Sequence, residues 1–153
     1  MNRTLDRRDW IVAGVVAGIA AGITVSAFAA FNDLQTGDSP LATYAFVATV
    51  FAGPQAQGAP WAVPLGILAV FGASIGWAFG YLTAARRQRQ LLRRPLLSGI
   101  GFGIIVWFVN LLVLVAANRF APTFFGLDRD LIAYIAFFGM PLAFVASRLL
   151  RDP

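Results

Sequence analysis

Charge-free apolar stretches alternate along this chain with short breaks marked by arginine, proline or aspartate, and the lengths of the stretches predict its architecture. A helix rises about 1.5 Å per residue and bilayer hydrocarbon is about 30 Å thick, so one crossing takes roughly 20 apolar residues. Three runs meet that length without an Asp or Arg: Trp10 to Phe31, Trp61 to Ala85 and Leu96 to Ala117. A fourth, Leu131 to Ser147, is shorter at about 17 residues, and Arg148 can snorkel from its end to lengthen it. The pattern predicts an all-α polytopic membrane protein: a single transmembrane domain over 1–153 with four spans.

The breaks predict orientation. Arginine close to a span is retained in the cytoplasm, and ten of the 12 basic residues flank the spans on one side: Arg3, Arg7, Arg8, Arg86, Arg87, Arg89, Arg93, Arg94, Arg148 and Arg151. Only Arg119 and Arg129 fall on the other side, beside Asp128 and Asp130. Both termini are therefore expected in the cytoplasm, in the manner of a bacterial inner-membrane protein. Ala27-Phe28-Ala29 resembles a signal-peptide cleavage site, but the apolar stretch before it exceeds the usual 7 to 15 residues. A retained first span is the expectation.

Between the first two spans lies a further apolar run, Pro40 to Ala52. Ser39 reads as its N-cap with Pro40 at the first helical position, and Gly53-Pro54 reads as its stop. At about 13 residues it is too short to cross. It is expected to lie in the outer interface, to enter as a re-entrant segment, or to pack on a partner. Pro95 opens the third span, and Asp128 is a candidate N-cap for the fourth. Pro141 lies inside the fourth span, where it frees the Phe137 carbonyl and predicts a kink eased by Gly139.

Small residues recur at four-residue spacing: Gly14, Gly18 and Gly22 in the first span, Gly72, Gly76 and Gly80 in the second, Gly99 and Gly103 in the third. Lipid tails are as apolar as Leu, so membrane helices associate by close backbone approach, which such stripes permit. All three fall toward the arginine-rich end. They predict a bundle that is tight there and wider at the other end, with the gap filled by the short helix, lipid or a neighbouring subunit. Whether a given stripe seals the monomer or joins a second protein is left open by spacing alone.

Composition removes whole classes of chemistry. The 12 basic residues are all Arg and the 7 acidic ones all Asp; Lys, Glu, His and Cys do not occur. Schiff-base lysine, haem-ligating or proton-relaying histidine, disulfide and thiolate chemistry are excluded with them. No span interior holds a charge, and no paired carboxylate, nucleophile with base, or phosphate-binding loop occurs, so no enzymatic activity and no cofactor or metal is expected.

The costliest buried polar group is Asn110. It stands about 21 Å from the arginine-rich edge, with Thr24, Ser26 or the Phe137 carbonyl as expected partners. Trp77 and Trp107 are placed deep in hydrocarbon, away from the interface where Trp collects. These three are the candidate ligand or partner contacts. Arg86, Arg87, Arg89, Arg93 and Arg94 form a basic turn suited to anionic lipid head groups, each worth about 1 kcal/mol near an anionic leaflet. The charge serves topology and lipid; nucleic acid is not an expected partner.

In layout the chain resembles the small YagU-like four-span bacterial inner-membrane proteins: a Gly-rich first span, the segment Ser39-Pro40-Leu41-Ala42-Thr43-Tyr44, a second span ending Gly80-Tyr81-Leu82 before a basic turn, and a Gly-rich third span. The resemblance implies the four-span fold and assigns no functional residue. The expected function is that of a non-catalytic accessory subunit packing against membrane partners and lipid, in a respiratory or photosynthetic complex or as a homo-oligomer. The alternative is a passive channel or facilitator for a small neutral solute.

Overall fold

A computed structural model describes residues 7–117 and 124–150; Arg3, Arg119 and Arg151, which entered the orientation argument, lie outside them. Every regular element among the described residues is helical: α1 (Arg7–Gln35), α2 (Ala42–Ala52), a 3₁₀ turn (Pro54–Ala56), α3 (Ala62–Arg87), α4 (Gln90–Arg93), α5 (Pro95–Ala116), α6 (Phe124–Ala133), a π-helical stretch (Tyr134–Gly139) and α7 (Met140–Leu150). The last three run on as one rod, the fourth helix. Four helices are long and apolar enough to cross a membrane: α1, α3, α5 and the Asp128–Leu150 part of the fourth helix.

These rods are not equivalent. α1 packs between α3 and the fourth helix, and the fourth helix packs between α1 and α5. Within the most apolar stretch of each, 39% of the fourth helix and 33% of α1 is buried, against 22% of α3 and 17% of α5. The first pair is central and the second flanks it. α3 and α5 meet near the arginine-rich end, where Phe102 sits edge-on to Tyr81 and Trp77 at 5.2 and 6.1 Å between ring centres. The Tyr81 hydroxyl is 2.9 Å from Ser98 Oγ, and Ser98 donates to the Leu91 carbonyl at 2.8 Å. That network ties α3, α4 and α5 together. Leu92 is buried beside it where α4 meets α7, so the basic turn is anchored to the bundle.

α2 starts two residues later than Ser39-Pro40 predicts, and a different residue caps it. Asp33, at the end of α1, is 7% exposed and accepts from the Thr43 backbone N–H and the Thr43 hydroxyl, both at 2.9 Å. Ser39 Oγ is 3.4 Å from the Leu41 nitrogen, too long to compete with a carboxylate. The far end of α2 follows the sequence pattern, since Gly53 sits at φ 84°, a conformation costly for any residue with a Cβ. α2 then lies across α3 with its backbone directly on Gly66, where a Cβ would collide with the Tyr44 carbonyl.

One reading at the fourth helix is corrected. Asp128 is not an N-cap, because the residues before it, from Phe124 on, are already helical. The strain of Pro141 is met by the π-helical stretch immediately before it, in which the chain widens by one residue per turn. The Phe137 carbonyl that Pro141 leaves free accepts from the Thr24 hydroxyl of α1. Phe28 and Phe137 stack alongside, 4.9 Å between centres.

Replacing Asp33 by Ala removes both bonds at the start of α2 and is expected to cost about 1–2 kcal/mol. Thr43→Val, which keeps the backbone bond, should cost about half as much. Thermal unfolding in mild detergent, followed by helical circular dichroism, checks the order.

Candidate functional site

Beyond the Phe102 contact, toward the α2 end, α3 and α5 part around a cavity of about 340 Å³. Its walls come from all four long helices and from α2. On α5 the lining runs from Val106 to Leu114, which by helical rise makes the cavity about 12 Å deep along the bundle. Trp77, Val106 and Phe138 form its floor, and Asn32, Thr43, Leu114 and Asp130 stand at its top. Its rim includes Phe46, Phe51 and Val113, exposed by 45, 66 and 45%. The cavity is therefore bordered in part by apolar surface of the kind that faces hydrocarbon, with Asn110 and Tyr134 on its walls and the exposed Asp130 at its top.

Asn110, Trp77 and Trp107, on two different helices, all line this one space. Asn110 does not take the Phe137 carbonyl, which belongs to Thr24; it lines the same cavity as Tyr134 of the fourth helix. Asp130 is one helical turn above Tyr134, with Arg129 beside it. The Arg129 guanidinium lies 5.9 Å from the centre of the Phe28 ring. On the α1 wall, Ser26 Oγ and Asn32 Oδ1 are buried yet have no hydrogen-bond partner among the described residues. Ser74, by contrast, donates to the Val70 carbonyl at 2.8 Å.

Asn32, Asp130 and Tyr134 were not singled out from the sequence. Asp130 reads as a loop charge only while the fourth span is taken to begin at Leu131. With Phe124–Ala133 helical, Asp130 and Tyr134 fall four residues apart on one face, a spacing visible in the chain.

The glycine stripes separate into two kinds. Gly14, Gly18 and Gly22 face α3: a Cβ on Gly18 would lie 2.6 Å from the Ile75 Cα, and those on Gly14 and Gly22 would strike Phe79 and Phe71 at 2.6 and 2.9 Å. Gly99 and Gly103 face the fourth helix, 2.8 Å from the Met140 and Ile135 Cα atoms by the same measure, and Gly139 answers from the other side against Gly99. Gly72, Gly76 and Gly80 have nothing within 4 Å. Among the described residues nothing packs on their stripe, which lies on the outward surface of α3. Gly66 and Gly139, outside every stripe, make the closest approaches.

At the arginine-rich end, the Arg86 guanidinium stands 4.6 Å over the Trp10 ring, a cation–π contact linking α3 to the start of α1. Arg87, Arg89, Arg93 and Arg94 are exposed around α4, so the five arginines named from the sequence do gather at one end of the bundle. Arg148 covers Phe144 at 4.9 Å on the same end. No family model, curated protein or solved structure matches the chain.

Gly18→Leu forces a side chain into the Ile75 backbone and is expected to cost about 1–3 kcal/mol by overpacking. Gly76→Leu adds the same atoms to open surface and should stay within about 0.5 kcal/mol of the parent. Unfolding by graded denaturing detergent reads both.

Proposed function

We propose that this chain is a non-catalytic membrane protein that works by packing: an accessory subunit, or one protomer of a homo-oligomer, joined to its neighbour through α3. The observation that carries the reading is the bare Gly72-Gly76-Gly80 stripe. Glycine in a helix interior destabilises it by roughly 0.5–1 kcal/mol relative to Ala, and the two other stripes offset that cost with backbone contact inside the bundle. The stripe on α3 has no such return among the described residues. A second transmembrane helix crossing there would supply it, since close approach is what binds helices in lipid.

The arginine distribution supports a bacterial inner-membrane setting with both termini cytoplasmic. In that orientation Arg86, Arg87, Arg89, Arg93 and Arg94 face the anionic inner leaflet and hold its head groups, and the cavity opens in the outer half of the membrane. A channel for a neutral solute has less support. The cavity stops at Trp77, Val106 and Phe138, and past that floor come Tyr81, Phe102 and the glycine crossings.

The test is the size of the particle extracted from its native membrane into mild detergent. Wild type is expected to run as a complex, with itself or with another membrane protein, and Gly76→Leu as a monomer with an unchanged melting temperature. A wild-type monomer with no co-purifying partner would sink the reading.

A further inference from the structure

The cavity between α3 and α5 opens sideways. Its exposed apolar lining residues are Phe46 and Phe51 of α2, Ala73 of α3 and Val113 of α5, and they mark a mouth between those helices. Val113 stands about 5 Å from the end of α5 at Ala116. Ala73 stands roughly 16 Å along α3 from Ala62, one turn before Trp77 at the floor. Hydrocarbon is about 30 Å thick, so the mouth runs from near one edge of the spans to near the middle of the bilayer. An acyl chain of that leaflet lies along the same path.

Size decides between occupants. A helix with its side chains is about 10–12 Å across, so about 12 Å of it fills about 1,000 Å³, well beyond the 340 Å³ that the cavity offers. Carbon atoms in contact are about 3.5–4.0 Å apart, so a single hydrocarbon chain is about 4–5 Å across and the same length of it fills about 200 Å³. One chain fits and a neighbour's helix does not. Water needs about 2–4 polar partners, and the floor at Val106, Phe138 and the Trp77 ring is apolar. Among the described residues the only charged side chain of the lining is the exposed Asp130 at the top, so a lipid's charged head stays outside and its tail alone enters. We infer that the cavity seats one acyl chain of a bilayer lipid, taken in between α2, α3 and α5 and reaching Trp77. There the chain gives α3 and α5 a surface to pack on where their backbones have parted. The inference rests on these helices being spans; it is independent of which way the termini face and of what covers the glycine stripe.

Trp77 provides the readout. The full protein carrying Trp10→Phe, Trp61→Phe and Trp107→Phe, so that Trp77 alone emits, is placed at one protein per disc in phosphatidylcholine nanodiscs. A rising fraction of the phosphatidylcholine carries bromine, a contact quencher, on both of its chains. Fluorescence is expected to fall in direct proportion to the brominated fraction, as it does for a single chain position. Adding Ala73→Phe, at the exposed mouth where bulk is tolerated, should cut the quenching about threefold or more while the melting temperature holds. A steeply curved fall, which several surface chains acting together produce, overturns the proposal. So does the absence of quenching in fully brominated discs, or equal quenching with and without Ala73→Phe. Should that variant fail to fold, the shape of the titration decides. With one protein per disc, assembly through α3 does not enter the result, so the two readings fail separately.

Discussion

Close contact between backbones is the interaction on which the rest of this structure depends. In hydrocarbon no solvent pushes apolar helices together, so association rests on packing and on internal satisfaction of polar groups. α1 reaches α3 along Gly14, Gly18 and Gly22, and α5 reaches the fourth helix where Gly99 and Gly103 meet Gly139. Those two crossings draw the bundle together at the arginine-rich end. Everything at the other end follows from their absence there: the helices separate, α2 is needed to cover the opening, and a cavity is left between α3 and α5.

Polar groups are handled with the same economy. The π-helical stretch before Pro141 would expose a carbonyl to lipid, and Thr24 meets it from the neighbouring helix. Asp33 would be a buried charge, and the start of α2 surrounds it with donors. Tyr81, nearly inaccessible, is paired with Ser98. Against this background the oxygens of Ser26 and Asn32 stand out, buried without a partner among the described residues.

Most of the fold was legible in the sequence because the bilayer makes it so. The charge-free runs at Trp10, Trp61 and Leu96 announce their helices by length alone, and the expected widening toward the α2 end follows from where the glycines fall. Local signals failed where a distant residue competes. Ser39-Pro40 is a sound helix start in isolation, yet Asp33 outcompetes it, reaching Thr43 from ten residues away. Asp128 looked like a cap because the helix turn before it, Phe124 to Leu127, is not itself marked by any boundary residue. The stripes of α1 and α3 have identical spacing and opposite surroundings; spacing shows that a face can be approached closely, and only the tertiary arrangement shows what approaches it. Gly66 was missed for the converse reason, since a single glycine under a crossing backbone carries no pattern. The cavity was half visible: Asn110, Trp77 and Trp107 were conspicuous as costly or misplaced residues, while Asp130 and Tyr134 were hidden by an error of a few residues in a helix boundary.

The uneven bundle has a mechanical corollary. A body cinched at one face and splayed at the other, with an additional helix lodged in the splayed half, occupies unequal areas in the two leaflets and so is a wedge. Such a shape lowers its elastic energy where the bilayer bends to match. Many copies side by side would therefore favour a curved sheet over a flat one, through geometry alone.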